Sequence, residues 1–339
     1  MASPSAAAPS SSTAASSSTR TELRVGSFNI QVFGETKIQK PFIRQTLLSI
    51  LSRYDIVFIM EIRDDKNKAV YQLLDDLNQS TGRGYQALVS KRLGRGDMKE
   101  QYAYFYDPKL VTAEESYVYN DTNADFSRPP FVARFKAQDY AFTFAGTHIA
   151  PTNVELELKA LNGVYRDVTK HFHDNNIFMM GDYNADCGYY RASKLGFDYF
   201  DETPRLRISN DEDTTVALTS CAYDRVLGFG EIQNHASDAH AFNFMHEFAY
   251  DLGTARLVSD HFPIEFTIEV PAAMQVYEAL APPPPPAPGE LEPRKTSEDL
   301  ARQVQVPASC GMDAAKTSGG YCYGAFGTGR QRVSLSCCP

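Results

Sequence analysis

The sequence predicts an α/β fold in which two packed β-sheets carry helices on their outer faces. Short apolar runs of strand length alternate with a few segments in which apolar residues recur at helical spacing. Many strands combined with few amphipathic helices favour stacked sheets. The alternation fills residues 21–270, which is an ordinary length for one large α/β domain.

The elements follow in order along this region. Residues 23–30 predict the first strand, and residues 55–62 (DIVFIMEI) predict a second that is covered on both faces, because its apolar residues are continuous. Pro41 can open a helix between them, since proline suits the first helical position. Helical spacing predicts two more helices, over residues 70–77 and 154–172. Other strands are predicted for the runs YQALVS, YAYFY, SYVY, FVARF, YAFTFAGTHI, IFMMGDYN, RVLGF and FPIEFTIEV.

Composition divides the chain into four segments. Residues 1–21 are rich in Ser and Ala and predict a disordered linker, while residues 22–270 form the folded domain. Residues 271–309 are Pro-rich and predict an extended linker. Residues 310–339 hold four of the six cysteines and predict a small Cys-rich module. No run is long and apolar enough to span a bilayer, and no secretory signal is visible in residues 1–20.

The net charge argues against long-range attraction of a polyanion. The whole chain carries −9, and residues 21–270 hold 26 basic against 36 acidic residues, which is −10. A field of this sign does not steer nucleic acid toward the protein. If the substrate is nucleic acid, divalent cations and a local basic patch must attract it.

Polar side chains suited to chemistry stand where the predicted apolar strands stop. Each one can be a strand-end or turn residue that caps backbone groups. Strand ends of a layered sheet converge on one rim, however, so together the side chains predict a site. Carboxylates can hold Mg²⁺, and one histidine can accept a proton while another donates one, which suits phosphodiester hydrolysis. The residues are Asn29, Glu61, His148, Asp182, Asn184, Asp224, Asp260 and His261.

A series of motifs makes the chain recognisable. In order they are FNIQVFGETK, DIVFIMEIRD, LGRGDMKEQY, FSRPPFVARF, THIAP, MMGDYNADCGY, EDTT, CAYDRV and SDHFP. The chain resembles the deoxyribonuclease I family, within the wider endonuclease/exonuclease/phosphatase superfamily, over residues 22–270. GDYN and SDH alone indicate only the superfamily, whereas GDYNADC with CAYDR and FNIQVFGETK is much more specific. The C-terminal segment has no recognised counterpart.

The resemblance implies a four-layer α/β sandwich of two mostly antiparallel sheets flanked by helices, to which the small Cys-rich segment is added. It also implies a catalytic set. His148 would pair with Glu100 and His261 with Asp224, as general acid and general base in an order that stays open. Asp182 and Asn184 would complete the set.

The resemblance further implies two kinds of metal site. Asn29, Glu61 and Asp260 would belong to the site for Mg²⁺ or Mn²⁺. A calcium loop and a second Ca²⁺ site would use carboxylate, hydroxyl and carbonyl oxygens, although Ala217 and Pro129 replace plausible ligands. The residues implied for calcium are Asp213, Thr215 and Thr219 in the loop and Asp121 in the second site.

DNA contacts and a disulfide follow in the same way. Arg63 and Arg128 match positions that contact phosphates, and Tyr189 and Thr219 match residues near the scissile phosphate. Met98 stands where vertebrate members carry a minor-groove aromatic residue. Apart from the resemblance, the basic residues of segment 91–99 cluster next to Glu100, so Arg95 and Lys99 are expected to contact DNA. An ordinary solvated face is the alternative. Cys187 and Cys221 match the structural disulfide of the family.

The expected activity is that of a secreted, divalent-cation-dependent endonuclease. It would hydrolyse double-stranded DNA with weak sequence preference and leave 5′-phosphate ends. Two alternatives stay open: a phosphoesterase of the same superfamily acting on a lipid or inositol phosphate, and a catalytically inactive DNA-binding module.

The expected partners are few. The chain is expected to be a monomer, and to bind actin weakly or not at all, because Ala87 and Lys91 replace an aromatic and an acidic residue of the actin-binding members. The partner of the C-terminal segment is unknown. Its cysteines argue for an oxidising compartment, but a zinc site or an inert disordered tail is also compatible with the composition.

Overall fold

The computed structural model describes residues 21–96, 99–270, 321–325 and 330–334. Its strands, numbered in chain order, are β1 (Thr21–Phe33), β2 (Ile56–Ile62), β3 (Gln86–Val89), β4 (Gln101–Tyr106), β5 (Thr112–Val118), β6 (Phe131–Ala137), β7 (Tyr140–His148), β8 (Ile177–Asp182), β9 (Arg205–Leu206), β10 (Asp224–Phe229), β11 (His240–Ala241), β12 (Ile264–Val270), β13 (Tyr321–Ala325) and β14 (Arg330–Ser334). Its α-helices are α1 (Glu35–Ile38), α2 (Pro41–Leu51), α3 (Lys68–Thr81), α4 (Val154–Phe172), α5 (Phe244–Glu247) and α6 (Leu252–Val258).

Two six-stranded sheets form the centre of the domain. The first has the strand order β11-β12-β1-β2-β4-β3, and the second has the order β5-β6-β7-β8-β10-β9. Each sheet is antiparallel except for one parallel pair, which is β1 with β2 in the first sheet and β7 with β8 in the second. The prediction of two packed, mostly antiparallel sheets is therefore confirmed.

Apolar clusters separate the layers. Between the sheets, aromatic side chains such as Phe58 and Tyr104 of the first sheet pack with Phe144 and Phe178 of the second. The outer face of the first sheet packs against α1, α2, α3, α5 and α6, and the outer face of the second packs against α4. The order helix, sheet, sheet, helix is the predicted four-layer sandwich.

The topology brings particular strand ends together. The parallel pairs place the carboxyl ends of β1 and β2, and of β7 and β8, at one edge of each sheet. The strands β4, β10 and β12 run antiparallel to these neighbours, so their first residues lie at that same edge. Side chains that end one strand thus meet side chains that begin another.

The predicted boundaries need one correction. Thr21 pairs with Val270, so β1 and the folded domain begin one residue before the predicted boundary at residue 22. The short helices α1, α5 and α6 were not predicted, because four to seven residues are too few to show a periodicity. No helix in the described ranges is long and apolar enough to cross a bilayer.

The C-terminal part is described only as a hairpin, in which β13 pairs with β14 antiparallel. Residues 1–20 and 271–309 of the predicted linkers lie outside the described residues, as does most of the predicted Cys-rich module, with Cys310, Cys337 and Cys338.

Gly146 of β7 controls how closely the sheets approach. A Cβ atom at this position would lie 2.2 Å from the ring of Phe58 in the facing sheet. We expect Gly146→Ala to lower the free energy of unfolding by about 1–3 kcal/mol, because overpacking forces the core apart. Urea denaturation measures the loss. Gly188→Ala is the matched control, since nothing lies within 4 Å of its added Cβ. Equal stability of both variants would contradict this account of the sheet interface.

Candidate active site

The strand ends described above surround a cavity of about 250 Å³. Carboxylates, two imidazoles, two guanidinium groups and two tyrosines line it. The lining residues are Glu61, Arg63, Arg128, His148, Pro151, Asp182, Asn184, Tyr189, Tyr223, Asp260 and His261. All eight residues singled out at the strand ends lie in or beside this cavity: Asn29 bonds to Glu61 and Asp182, and Asp224 bonds to His261.

Asp182 is the centre of the site and is only 1% exposed. Its Oδ2 accepts a hydrogen bond from Asn29 Nδ2 at 3.2 Å, and its Oδ1 accepts one from the backbone N–H of Asn184 at 2.9 Å. The Nε2 atoms of His148 and His261 lie 3.4 and 3.5 Å from the same Oδ2. One carboxylate therefore faces both imidazoles.

The residue before Asp182 must be a glycine. Gly181 has a φ of +143°, and a Cβ atom there would lie 1.9 Å from the carbonyl oxygen of Thr147. Glycine alone combines this backbone conformation with so close an approach. The requirement explains the glycine of the GDYN motif.

Each histidine is backed by a buried acid from the other sheet. Nδ1 of His148, at the end of β7, lies 2.8 Å from Oε1 of Glu100, which directly precedes β4. Nδ1 of His261, which precedes β12, lies 2.8 Å from Oδ2 of Asp224, the first residue of β10. Both histidines thus lie against the acids predicted for them, with Nε2 turned toward Asp182.

The acids shift the protonation of this set. Burial disfavours a charged imidazole, but the carboxylates of Asp224 and Asp182 outweigh that effect and raise the pKa of His261 to about 10. Burial also acts to raise the pKa of Glu100, yet His148 and Arg128 overcome it and hold that pKa below its usual value. The surrounding charges therefore favour a protonated His261 and an ionised Glu100.

The two arginines of the cavity are engaged with internal acids. Arg128 Nε lies 2.9 Å from Glu100 Oε1 and donates to the carbonyl of His148 at 3.2 Å. Arg63 lies 3.2 Å from Glu61 and 3.8 Å from Glu100. A part of each guanidinium thus orients the acids, and only the remainder faces the cavity.

Asn29 and Glu61 are held by an unusual stretch of backbone. Gln31, Val32 and Glu61 have φ values of 44°, 52° and 58°, in the left-handed region that residues other than glycine rarely adopt. This conformation directs the Gln31 N–H to Asn29 Oδ1 and the Val32 N–H to Glu61 Oε2, both at 2.9 Å. The amide nitrogen of Asn29 consequently faces Glu61 and Asp182.

Lys37 secures this stretch and was missed as a site residue. Its buried Nζ donates to the carbonyls of Ile30 and Gln31 at 2.7 and 2.6 Å. Burial lowers the pKa of Lys37 to about 8, against the opposing charges of Asp260 and Glu61. The FGETK motif contains Lys37, but residue type alone does not signal that a lysine points inward.

The acidic side of the cavity fits a divalent cation that brings its own waters. In the described part of the chain, no group of three or more Asp, Glu, His and Cys side chains forms a complete metal-binding cluster. Oδ1 of Asp260 is buried and lacks a hydrogen-bond partner among the described residues. A cation beside Asp260 and Glu61 would satisfy such an oxygen. Mg²⁺ commonly uses one or two carboxylates and retains several waters.

The residues predicted for calcium form two compact turns. Asp213 Oδ1 accepts bonds from the N–H and hydroxyl of Thr215 at 3.1 and 3.0 Å, and the Thr215 hydroxyl also donates to the Thr219 carbonyl at 3.2 Å. Both carboxylate oxygens of Asp121 accept backbone N–H groups, from Asp125 and Phe126. Oxygen atoms are thus gathered in both turns, around carboxylates that already organise the backbone.

A disulfide joins two segments of the site. Cys187 and Cys221 are bonded, with Cα atoms 5.8 Å apart, which confirms the predicted pair. The bond ties the segment after Asp182 to the segment before Asp224. Closing a loop with a separation of 34 residues restricts the unfolded chain and is worth roughly 3–4 kcal/mol in the entropy model.

The remaining residues predicted to contact DNA are Tyr189, Arg95, Met98 and Lys99, and of those that the structure describes, Tyr189 lines the cavity. Tyr189 is half exposed, and its ring lies 5.4 Å from that of Tyr223. Arg95 donates to the carbonyls of Ala124 and Phe126, so it braces a loop, whereas Lys99 is exposed. Met98 lies outside the described residues.

The chain is similar to known proteins in both sequence and fold. Residues 26–261 match the model of the endonuclease/exonuclease/phosphatase family. The chain is 36% identical over 260 residues to deoxyribonuclease-1 of Sus scrofa, which covers 73% of this chain and 92% of that protein. The Mus musculus deoxyribonuclease-1 is 38% identical over 259 residues, a match that covers 73% of this chain and 91% of that protein. Truncated TDP2 of Caenorhabditis elegans shares the fold at a TM-score of 0.52 and 14% identity, covering 74% of this chain and 98% of that one.

The raised pKa of His261 predicts how stability depends on pH. Its value of about 10 in the folded protein exceeds the ordinary 6.5, so the protonated form stabilises the fold fully below pH 6.5 and loses that contribution as the pH rises toward 10. In a chelator, we expect His261→Gln to remove a pH dependence of about 1.4 kcal/mol per pH unit between pH 7 and 9. Urea unfolding at each pH measures it. If the plots of unfolding free energy against pH run parallel for the parent and His261→Gln, the raised pKa of His261 is wrong.

Proposed function

The chain belongs to the deoxyribonuclease I family, within the endonuclease/exonuclease/phosphatase superfamily, and we propose that it is a divalent-cation-dependent endonuclease acting on double-stranded DNA. One observation carries the proposal: two imidazoles, each backed by a buried acid, turn their Nε2 atoms toward the same carboxylate, Asp182. Two proton-transfer groups on one cavity suit a displacement in which one oxygen loses a proton and another gains one.

In the proposed reaction, water attacks phosphorus and the 3′ oxygen leaves, so the product carries a 5′-phosphate. One of His148 and His261 accepts the proton of the water, and the other donates a proton to the leaving oxygen. Glu100 and Asp224 hold the two rings by their Nδ1 atoms and stabilise the charged forms. Asp182 lies between the rings and keeps both Nε2 atoms directed at the cavity.

The phosphate would be oriented by side chains of the cavity wall. Asn184 is anchored by a bond from its Nδ2 to the Ile149 carbonyl at 3.0 Å. Bound Mg²⁺ or Mn²⁺, held by Glu61 and Asp260 with Asn29 beside them, would screen the charge that develops on the phosphate. Asn29 aligns Glu61 and Asp182 by donating to both.

The proposed DNA contacts are mainly to the backbone. Arg63 and Arg128 would face phosphates from within the cavity. Tyr189 would contact the DNA strand at the rim of the cavity. Arg95, Met98 and Lys99 would extend this contact along the basic segment. Phosphate contacts position a duplex without reading its bases, and the minor groove presents a degenerate pattern. Sequence preference is therefore expected to be weak.

The proposed setting is extracellular. The Cys187–Cys221 disulfide supports an oxidising compartment. We further propose that the enzyme is a monomer with weak or absent actin binding, and that residues 310–339 form a separate module on a Pro-rich linker. Truncation after Val270 would then leave plasmid cleavage intact.

The histidines provide the direct test of the mechanism. We expect His148→Ala and His261→Ala each to lower the rate of plasmid nicking by about 10²–10⁴, the usual worth of general acid–base catalysis. A chelator should abolish the activity, and Mg²⁺ or Mn²⁺ should restore it. His246→Ala is the matched control, because His246 is exposed and does not line the cavity. If a histidine variant nicks plasmid at a rate within threefold of the parent rate, that histidine has no part in the mechanism.

The same assay separates the alternatives. Hydrolysis of sphingomyelin or an inositol phosphate without any nicking of plasmid would favour a phosphoesterase that acts on a lipid or inositol phosphate. Binding of DNA without hydrolysis in any metal would indicate an inactive module.

Calcium is expected to stabilise the fold separately from the catalytic metal. With Mg²⁺ present throughout, selective chelation of Ca²⁺ should lower the Tm by at least about 2 °C, since a bound ligand stabilises the folded state alone. Asp213→Ala should reduce this calcium dependence, because Asp213 organises the predicted loop. If the Tm of the parent protein is the same with and without Ca²⁺, the proposal of calcium sites is overturned.

A further inference from the structure

A second groove adjoins the active-site cavity. It has a volume of about 480 Å³ and lies beside the Cys187–Cys221 disulfide. Tyr189 lines both spaces, so the groove continues the cavity at its rim. Besides Cys187 and Gly188, the residues that line it are aromatic or charged: Glu155, Tyr189, Tyr190, Arg191 and Lys194.

A row of rings leads from the catalytic histidine to this groove. The His261 ring lies 6.1 Å from Tyr223, whose ring lies 5.4 Å from Tyr189. Tyr189 is 52% exposed, and Tyr190 follows it in the wall of the groove. Exposed aromatic rings in line with a reacting site, flanked by cations, are typical of surfaces that follow a nucleic-acid strand.

The cations of the groove are less engaged than those of the cavity. Arg63 and Arg128 pair with Glu61 and Glu100, as described above. Arg191 and Lys194 are exposed, and neither forms an ion pair within the described part of the chain.

One acid lines the groove and is largely neutralised. Glu155 bonds to Lys159 at 2.8 Å. Glu155 also interacts electrostatically with Lys194, but Lys159, Arg191 and Lys194 outnumber it. The groove therefore carries a net positive charge, although the whole chain has a formal charge of −9. Such a local patch is what an acidic protein needs to hold a polyanion.

We propose that this groove binds the sugar–phosphate backbone of the DNA strand that leads away from the scissile phosphate. Arg191 and Lys194 contact phosphates, and Tyr190 packs against a sugar or base. The inference rests on the proposed function, which it extends by a binding subsite. Because these side chains lie away from both histidine–acid pairs, they contribute to affinity and not to the chemical step.

The test compares two double variants of the full chain. Arg191→Ala/Lys194→Ala removes the groove cations. Lys109→Ala/Lys170→Ala removes the same charge from two exposed positions, one just beyond the far end of β4 and one in the last turn of α4. The Kd for a labelled duplex is measured by fluorescence anisotropy in a chelator at several salt concentrations, and kcat and KM are measured on plasmid with Mg²⁺.

The groove variant should raise Kd and KM at least about tenfold, leave kcat within twofold, and reduce the slope of log Kd against log salt by roughly 2. The control variant should change each value less than threefold. Glu155→Gln should act in the opposite direction and tighten binding. Hydrolysis of bis(4-nitrophenyl) phosphate, which has no flanking nucleotides, should be unchanged.

The outcomes separate the two proposals. An unchanged Kd and salt slope in the groove variant, in a protein that cuts plasmid, would overturn the groove and leave the nuclease proposal standing. Equal losses in the groove and control variants would also overturn it, since bulk charge would then explain both. A protein that binds duplex through the groove but cuts no DNA would overturn the proposed function alone.

Discussion

The site depends on keeping the buried carboxylate of Asp182 ionised. A buried charge without partners costs several kcal/mol. Burial acts to raise the pKa of Asp182, but His261 and His148, with bonds from Asn184 and Asn29, hold it below its usual value. The strand register helps to place both histidines: β8 sets Asp182 opposite His148 on one side and, on the other, opposite Asp224, which bonds to His261. The other side chains of the site are therefore arranged so that they neutralise the Asp182 carboxylate.

Much of the fold and the location of the site could be predicted from the sequence. Continuous apolar runs such as residues 55–62 indicate buried strands, and a polar residue after such a run, such as Glu61, must lie at a strand end. The convergence of these strand ends at one edge of the sheets then follows from the order and direction of the strands. The pairing of His148 with Glu100 did not follow from any local pattern, because 48 residues separate them. It was implied only by the resemblance to a family.

Other features depend on tertiary contacts that no local pattern records. Lys37 looks like an ordinary surface lysine, yet its ammonium group holds two carbonyls of a left-handed backbone stretch. Arg63 and Arg128 carry the expected charge, but their acidic neighbours were not predictable from residue type. The short helices escape detection for a related reason, since packing and not periodicity stabilises them.

Both histidine–acid pairs cross the interface between the sheets. Glu100 and His261 adjoin strands of the first sheet, whereas His148 and Asp224 belong to the second, which is built entirely from residues 112–229. A chain in which only one sheet has formed therefore contains neither pair. Its histidine rings would lack the acids that orient them. The two proposed proton-transfer pairs would then be completed in a single step, when the sheets dock.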